Sequence, residues 1–256
     1  MREACCLGIR AVNPQPVTFT VQRLNGVAIG NLGGTLKASR ISQDRTSLVI
    51  VAISDTHSLH REVSVPSGDI LIHAGDFTMF SKNLSAISDF NAWLGNLPHR
   101  HKIVVPGNHE FFLEADLRRR SMLDNANVLV GESVVVQGLR IWGTPTTPLY
   151  GGAFGISSAQ DRSRLYSTIP NDTDVLISHG PPWGVLDCPP GANQHAGDPE
   201  LLKAVRRIRP KLHVFGHIHA GHGVKVTEQT VYANASLLCD DGGICRDPIV
   251  LRIPRR

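Results

Sequence analysis

Side chains able to hold a divalent cation recur at the ends of short apolar runs in this sequence. Leu48-Val-Ile-Val-Ala-Ile53 is followed by Ser54-Asp55-Thr56-His57, and Asp69-Ile-Leu-Ile72 by His73-Ala-Gly-Asp76. Lys102-Ile-Val-Val105 leads into Pro106-Gly-Asn108-His109-Glu110, and Asp174-Val-Leu-Ile177 into Ser178-His179-Gly-Pro-Pro182. Leu212-His-Val-Phe215 ends in Gly216-His217-Ile218-His219. Two aspartates, an asparagine carbonyl and four imidazoles thus offer oxygen and nitrogen donors with no thiolate among them. Such a set suits manganese, iron or zinc in a two-metal site better than a structural zinc knot. Asp55 with His57, and His217 with His219, are spaced to put alternate side chains on one side of an extended segment. Taken singly, each motif reads as a turn or a cap. Their joint placement after five apolar runs is what carries the reading.

Those runs are the strands that must position the ligands. Ligand sites of α/β sheets lie beyond the carboxyl ends of strands, which is where all five clusters fall. Strands are expected at 47–53, 69–73, 102–105, 139–142, 174–178, 212–215, 223–226, 230–234 and 248–252, with helices at 82–96, 112–121, 158–167 and 198–208. About half of the strands are expected in hairpin-like connections near the C-terminus. The sum is a layered α/β domain over residues 46–256 with no internal linker. Residues 1–45 show no sustained period and are read as an N-terminal extension, poorly ordered or targeting.

Composition narrows the classes. The chain has 256 residues, 41% hydrophobic and 19% charged, with a mean hydropathy of -0.06, which describes a globular protein rather than a disordered or fibrous one. Its longest apolar run, Leu48 to Ile53, is far too short to span a bilayer. The net charge is +4, and residues 1–45 hold six basic residues against two acids, so the extension carries the whole excess. A neutral body argues against polymeric nucleic acid as a partner. Five cysteines without a Cys-x-x-Cys are expected as free thiols in a reducing compartment. The expected location is the cytoplasm, with organelle targeting by the acid-poor N-terminus as the alternative.

Asp55-x-His57, Gly75-Asp76, Gly107-Asn108-His109-Glu110, His179-Gly-Pro-Pro182 and Gly216-His217-x-His219 together resemble the motif set of the calcineurin-like metallophosphoesterase superfamily. Longer stretches such as Leu71-Ile-His-Ala-Gly-Asp-Phe-Thr78 and Ile141-Trp-Gly-Thr-Pro145 resemble its small MPPED-type branch. The resemblance implies a four-layer α/β/β/α sandwich of two mixed sheets flanked by helices, and two divalent metal ions. It implies that Asp55, His57 and His219 hold one ion and Asn108, His179 and His217 the other, with Asp76 bridging. His109 would be the acid that protonates the leaving alkoxide, and Glu110 would tune or orient that imidazole. Hydrolysis would proceed by direct attack of a metal-bridging hydroxide.

Departures from the superfamily's patterns narrow the substrate. Serine/threonine phosphatases carry Gly-Asp-x-x-Asp-Arg-Gly, whereas Gly75-Asp76 here precedes Phe77-Thr-Met-Phe80, without the second acid or the arginine. Purple acid phosphatases place a tyrosine where Met79 stands. What remains implies a phosphodiesterase for small or cyclic-nucleotide phosphodiesters, with a phosphomonoesterase or a non-catalytic scaffold as alternatives. The loop 145–152 lacks the tryptophans expected of the branch. His222 and Trp183 are candidate substrate contacts, and Tyr150 and Phe77 further candidates for stacking on a base. His60, His99, His101 and His195 are expected in solvent, His73 and His213 in the core. Asn234-Ala-Ser236 reads as a plain turn, with bonding to the site loops as the alternative.

Overall fold

The computed structural model describes residues 28–30, 47–80, 84–148, 152–192 and 194–255. Two six-stranded sheets stack face to face. The first has the order β1 (Ala28–Gly30), β12 (Ile249–Pro254), β2 (Ser47–Ile53), β3 (Ile70–His73), β4 (His101–Val104), β5 (Asn127–Val128). The second runs β10 (Gly223–Val226), β11 (Val231–Asn234), β9 (Leu212–Phe215), β8 (Val175–Ser178), β7 (Leu139–Thr144), β6 (Glu132–Val136). Both are mixed. The strands β2 to β5 are parallel and β12 antiparallel, while β7, β8, β9 and β11 are parallel and β6 and β10 antiparallel.

Side-chain alternation explains the layers. Leu48, Ile50 and Ala52 point inward with Ile70, Ile72 and Ile103, and meet Ile141, Val175, Ile177, Leu212 and Val214 of the other sheet. The opposite faces of the same strands, Val51, Ile53 and Leu71, pack on Ile87, Phe90, Trp93 and Leu94 of α1 (Leu84–Asn96). On the far side, Trp142, Leu176 and Phe215 pack on Tyr166 of α3 (Ala159–Ser167) and Leu201, Val205 and Ile208 of α4 (Pro199–Ile208). Strands buried on both faces read as continuous apolar runs, and each fully buried aliphatic side chain contributes roughly 1.5–3 kcal/mol. The result is the expected four-layer α/β/β/α sandwich, and no described helix is long and apolar enough to cross a membrane.

Several expectations need correction. Ala28–Gly30, inside the presumed extension, forms a strand on β12, while the rest of residues 1–45 lies outside the described residues. The helix expected at 112–121 stops early. α2 spans only Phe111–Ala115, because Asp116 adopts an extended backbone (φ -157°) and its carboxylate accepts from Arg118 N–H, starting a separate 3₁₀ segment at Leu117–Met122. β5 and β6 are strands beyond those the sequence predicts. Of the C-terminal strands, β10 and β11 form a hairpin, but β11 also pairs in parallel with β9 and β12 crosses to the other sheet. Cys239 and Cys245 are not free thiols. A tight antiparallel turn, with Cys239 N–H donating to Gly243 O at 2.9 Å, brings their Cα atoms to 5.8 Å and they form a disulfide. Cys5 and Cys6 lie outside the described residues.

Candidate metal centre

The loops after β2, β3 and β4 on one sheet and after β8 and β9 on the other meet at a single rim. Asp55, His57 and Asp76 are almost wholly buried there, with Asn108, His179 and, half-buried, His217 and His219. Asp55, His57, Asp76 and His217 all take positive φ, between 41° and 66°. Left-handed backbone at non-glycine residues costs of order 1 kcal/mol or more and persists only where surroundings enforce it. Here the loops enforce it on one another. Asp55 N–H donates to Gly75 O at 2.9 Å, and His57 N–H to Asp76 O at 3.0 Å. His217 N–H donates to the Asp55 carboxylate at 3.0 Å, and His109 N–H to Asp76 Oδ1 at 2.9 Å. Gly216 permits the approach, because a Cβ there would collide with the Asp55 carboxylate and the Ser54 hydroxyl.

The polar atoms are arranged for a cation. His179 Nδ1–H donates to Ala74 O at 3.0 Å, which turns its Nε2 toward the centre. That nitrogen lies 2.8 Å from Asn108 Oδ1 and 3.3 Å from Asp76 Oδ2, and Asn108 Oδ1 lies 2.9 Å from His217 Nδ1. Nitrogen and oxygen atoms gathered at about 3 Å match the spacing of neighbouring corners in the coordination shell of a divalent ion bonded at about 2.1 Å. Asp55, His57 and His219 form a second convergent group, with His219 Nε2 3.4 Å from Asp55 Oδ1. Asp76 Oδ2 faces both His179 and His57, the latter at 3.8 Å. Both ring nitrogens of His57 and Nδ1 of His109 are buried with no hydrogen-bond partner among the described residues. Such orphaned donors are costly unless something fills the gap. The residues therefore fit a metal centre.

Electrostatics say the same. Burial opposes ionisation of Asp55, yet His219, His179 and His57 hold its carboxyl well below the ordinary range. Burial likewise opposes ionisation of Asp76, and His179 still pulls its carboxyl down. Burial alone would lower His179, but Asp76 and Asp55 raise it to about 9, while burial and the His179 charge push His217 down to about 4. The cluster draws positive charge to its centre.

His109 lies beside Asp76, with Nε2 3.8 Å from Asp76 Oδ2, and its ring stacks on Phe80 at 3.7 Å between centroids. Glu110 does not orient that ring as expected. Its Oε2 accepts from Gly107 N–H at 2.6 Å and Asp76 N–H at 3.0 Å, and its Oε1 from Thr78 N–H at 2.9 Å and Thr78 Oγ1 at 2.8 Å. It is a staple between the β3 and β4 loops, and burial with the Asp76 charge pushes its carboxyl up to about 7. His222 donates from Nδ1 to Ser236 O at 2.8 Å. Trp183 sets its edge against His195, 4.8 Å away, rather than packing in the core. His195 Nδ1 lies 2.7 Å from Asp187 Oδ1, while Cys188 Sγ lies 3.6 Å from the same nitrogen. Asp187 Oδ2 closes that loop by accepting from Gly184 and Gly197 N–H.

Other expectations changed. His60 and His99 are buried rather than solvated, His60 with Nε2 2.9 Å from Asp89 Oδ2. His73 and His213 sit in the core as expected, His73 Nε2 paired with Thr56 Oγ1 at 3.0 Å and His213 Nε2 with Ser178 Oγ at 2.8 Å. Ser236 is more than a turn: its hydroxyl donates to Asp55 Oδ2 at 2.6 Å. Arg246 adds a charge near the site. Half-buried on the disulfide-closed hairpin after Ser236, it donates to Leu238 O, and with burial its charge holds His222 below the usual imidazole range. No signal in the sequence distinguishes it from the other arginines. Tyr150 lies outside the described residues.

The chain also matches known proteins. The model of the calcineurin-like phosphoesterase family matches residues 48–221. The chain is 40% identical to the human metallophosphoesterase domain-containing protein 1 over 230 residues, covering 80% of this chain and 70% of that protein. It is 37% identical to a UPF0046 protein of Caenorhabditis elegans, covering 82% and 76% of the two chains. Its fold resembles the crystal structure of TT1561 of Thermus thermophilus, with a TM-score of 0.52 at 13% identity over 74% of this chain and 89% of that one. The matched stretch contains every strand-end donor described above, and by the family match and the identity the chain belongs to the calcineurin-like phosphoesterases, a family of metal-dependent phosphoric-ester hydrolases.

Proposed function

We propose that the protein is a phosphodiesterase that acts on small phosphodiesters, cyclic nucleotides among them, at a centre of two divalent ions. The observation that carries the reading is the pair of convergent donor groups that share Asp76 as their common wall. Asp55, His57 and His219 would hold one ion, Asn108, His179 and His217 the other, and Asp76 both. When bound, such ions supply Lewis-acid charge to phosphoryl oxygens and lower the pKa of coordinated water toward neutrality.

The chain's own residues supply the rest. Glu110 fixes the loop that carries Asp76 relative to the loop that carries Asn108 and His109. His109, at the edge of the cluster, gives the proton on its imidazole to the departing alkoxide. The diester is preferred over the monoester because a phosphate monoanion needs little further positive charge. The segment after Asp76 supplies none, since Phe77-Thr-Met-Phe80 replaces the acid and arginine of the protein phosphatases.

The test is hydrolysis of bis-p-nitrophenyl phosphate, p-nitrophenyl phosphate and 2',3'- and 3',5'-cyclic nucleotides by protein loaded with manganese, with His109→Ala in parallel. Metal-dependent turnover of diesters is expected, with kcat reduced by about 100- to 10,000-fold in His109→Ala and bound metal unchanged. Preference for the monoester would replace this reading by a phosphomonoesterase, and no turnover of any ester would replace it by a non-catalytic scaffold.

A further inference from the structure

Phe77, Tyr150 and Trp183 are the aromatic residues that the sequence offers for stacking on a substrate ring, but the structure points to a different one. Phe77 is fully buried and stacks on Phe90 at 4.4 Å, with the planes 11° apart. Phe80, three residues on, is 54% exposed, although burying a phenyl ring is favourable by enough to draw it into the neighbouring core. Its ring lies on the imidazole of His109, 3.7 Å between centroids and 22° between planes, with Phe111 flanking at 6.4 Å.

The backbone holds Phe80 in this position. Its φ is +46°, a left-handed conformation that bulky side chains rarely take. The residues before it are pinned on two sides: Thr78 to the Glu110 carboxylate, and Met79 N–H to Ser58 Oγ at 3.3 Å. One pin belongs to the loop that carries His109 and the other to the loop that carries His57. Phe80 therefore stands at their junction, above the imidazole and half open to solvent, and strain is spent to keep an aromatic ring there.

We propose that Phe80, with His109, forms a stacking subsite for the planar group of the substrate, an aryl ring or a nucleobase on the departing oxygen. The proposal rests on the phosphodiesterase reading for the identity of that group, and on the Phe80 geometry for its place. The same imidazole borders Asp76, with Nε2 3.8 Å from Asp76 Oδ2, and lies under Phe80. An oxygen that takes its proton from His109 thus leaves with its substituent beside the phenyl ring. Stacking of this kind is sequence-tolerant, because every base and aryl group has a π face.

Binding of two inert ligands tests this, by titration calorimetry on manganese-loaded protein. Phenylphosphonate and methylphosphonate share the phosphoryl group and differ in the ring. The parent is expected to bind phenylphosphonate about 5- to 150-fold more tightly, the range of one base–aromatic stack. In Phe80→Ala that ratio falls to near one while methylphosphonate affinity is kept, and Phe80→Tyr restores it. Phe80 is exposed, so the alanine variant removes little core. An equal ratio in parent and Phe80→Ala overturns the subsite, as does a parent that shows no phenyl preference. A parent that prefers phenylphosphonate through Phe80 yet hydrolyses no diester overturns the phosphodiesterase reading alone.

Discussion

The two sheets bring different chemistry to the rim. The sheet of β2, β3 and β4 delivers the oxygen donors, Asp55, Asp76 and Asn108, together with His57. The sheet of β8 and β9 delivers imidazoles alone, His179, His217 and His219. Neither half suffices. Bare carboxylates buried in the first sheet would repel one another, and the imidazoles of the second would stay neutral or shed protons. Packed together, His179 and His219 draw the carboxyls of Asp55 and Asp76 down, and those carboxyls raise His179. The centre is an interface between sheets, so packing of the inner core and assembly of the site are one event.

The largest effect expected separates a shared ligand from an unshared one. Asp76→Ala removes the wall common to both groups and is expected to leave little bound metal and to lower turnover by roughly 1,000-fold or more. His179→Ala touches only one group and should keep about one ion per chain, read by metal analysis of dialysed protein. Equal metal loss in the two variants would break the distinction between the shared carboxylate and the one-sided imidazole.

Ser236→Ala should act more mildly. It deletes the hydroxyl that donates to Asp55 Oδ2 at 2.6 Å and leaves every ligand in place. Loss of such an outer partner costs roughly 10- to 100-fold in metal affinity. Metal titration against a chelator would show it on the Asp55 side, sharpening the assignment of that carboxylate to its own group.

The smallest effect on the centre itself, though one that stability registers, concerns the histidines buried one per sheet. Burial pushes both His73 and His213 down to about 3. An imidazole neutral in the fold and titrating near 6.5 when unfolded gives the unfolded chain the greater proton uptake. Stability is therefore undiminished above about pH 6.5 and falls as pH drops toward 3, by about 1.4 kcal/mol per pH unit for each such group. Urea unfolding between pH 7 and 5 would measure the slope, and His213→Gln should flatten it by one group's share. An unchanged slope would show that the two sheets do not carry equivalent buried imidazoles.

Much of this was legible because strands buried on both faces announce themselves as apolar runs, and their polar ends stand out by contrast. Asp55, Asp76, Asn108, His179 and His217 were found that way. Pairing was not legible. Nothing in the composition of Ile249–Pro254 says that it lies beside Ser47–Ile53, nor that Ala28–Gly30 lies beyond it. Phe80 and Phe77 look alike in sequence, and only a left-handed backbone turns one outward. Ser236 reads as a turn until Asp55 is brought to it from 181 residues away. The disulfide escaped because its six-residue spacing follows no regular motif, and only the hairpin turn sets the two cysteines opposite each other.

The Ser236 contact also orders events in time. By the time residue 219 is translated, every candidate ligand exists, yet β11, Ser236 and β12 are still to come. β11 completes the second sheet beside β9, and β12 lies between β1 and β2 in the first. A nascent chain paused after the last histidine thus carries all its cation donors on two unfinished sheets, with Asp55 lacking its hydroxyl partner. Until β11 and β12 pair, the Asp55 carboxylate stays without the hydroxyl that holds it in the finished fold.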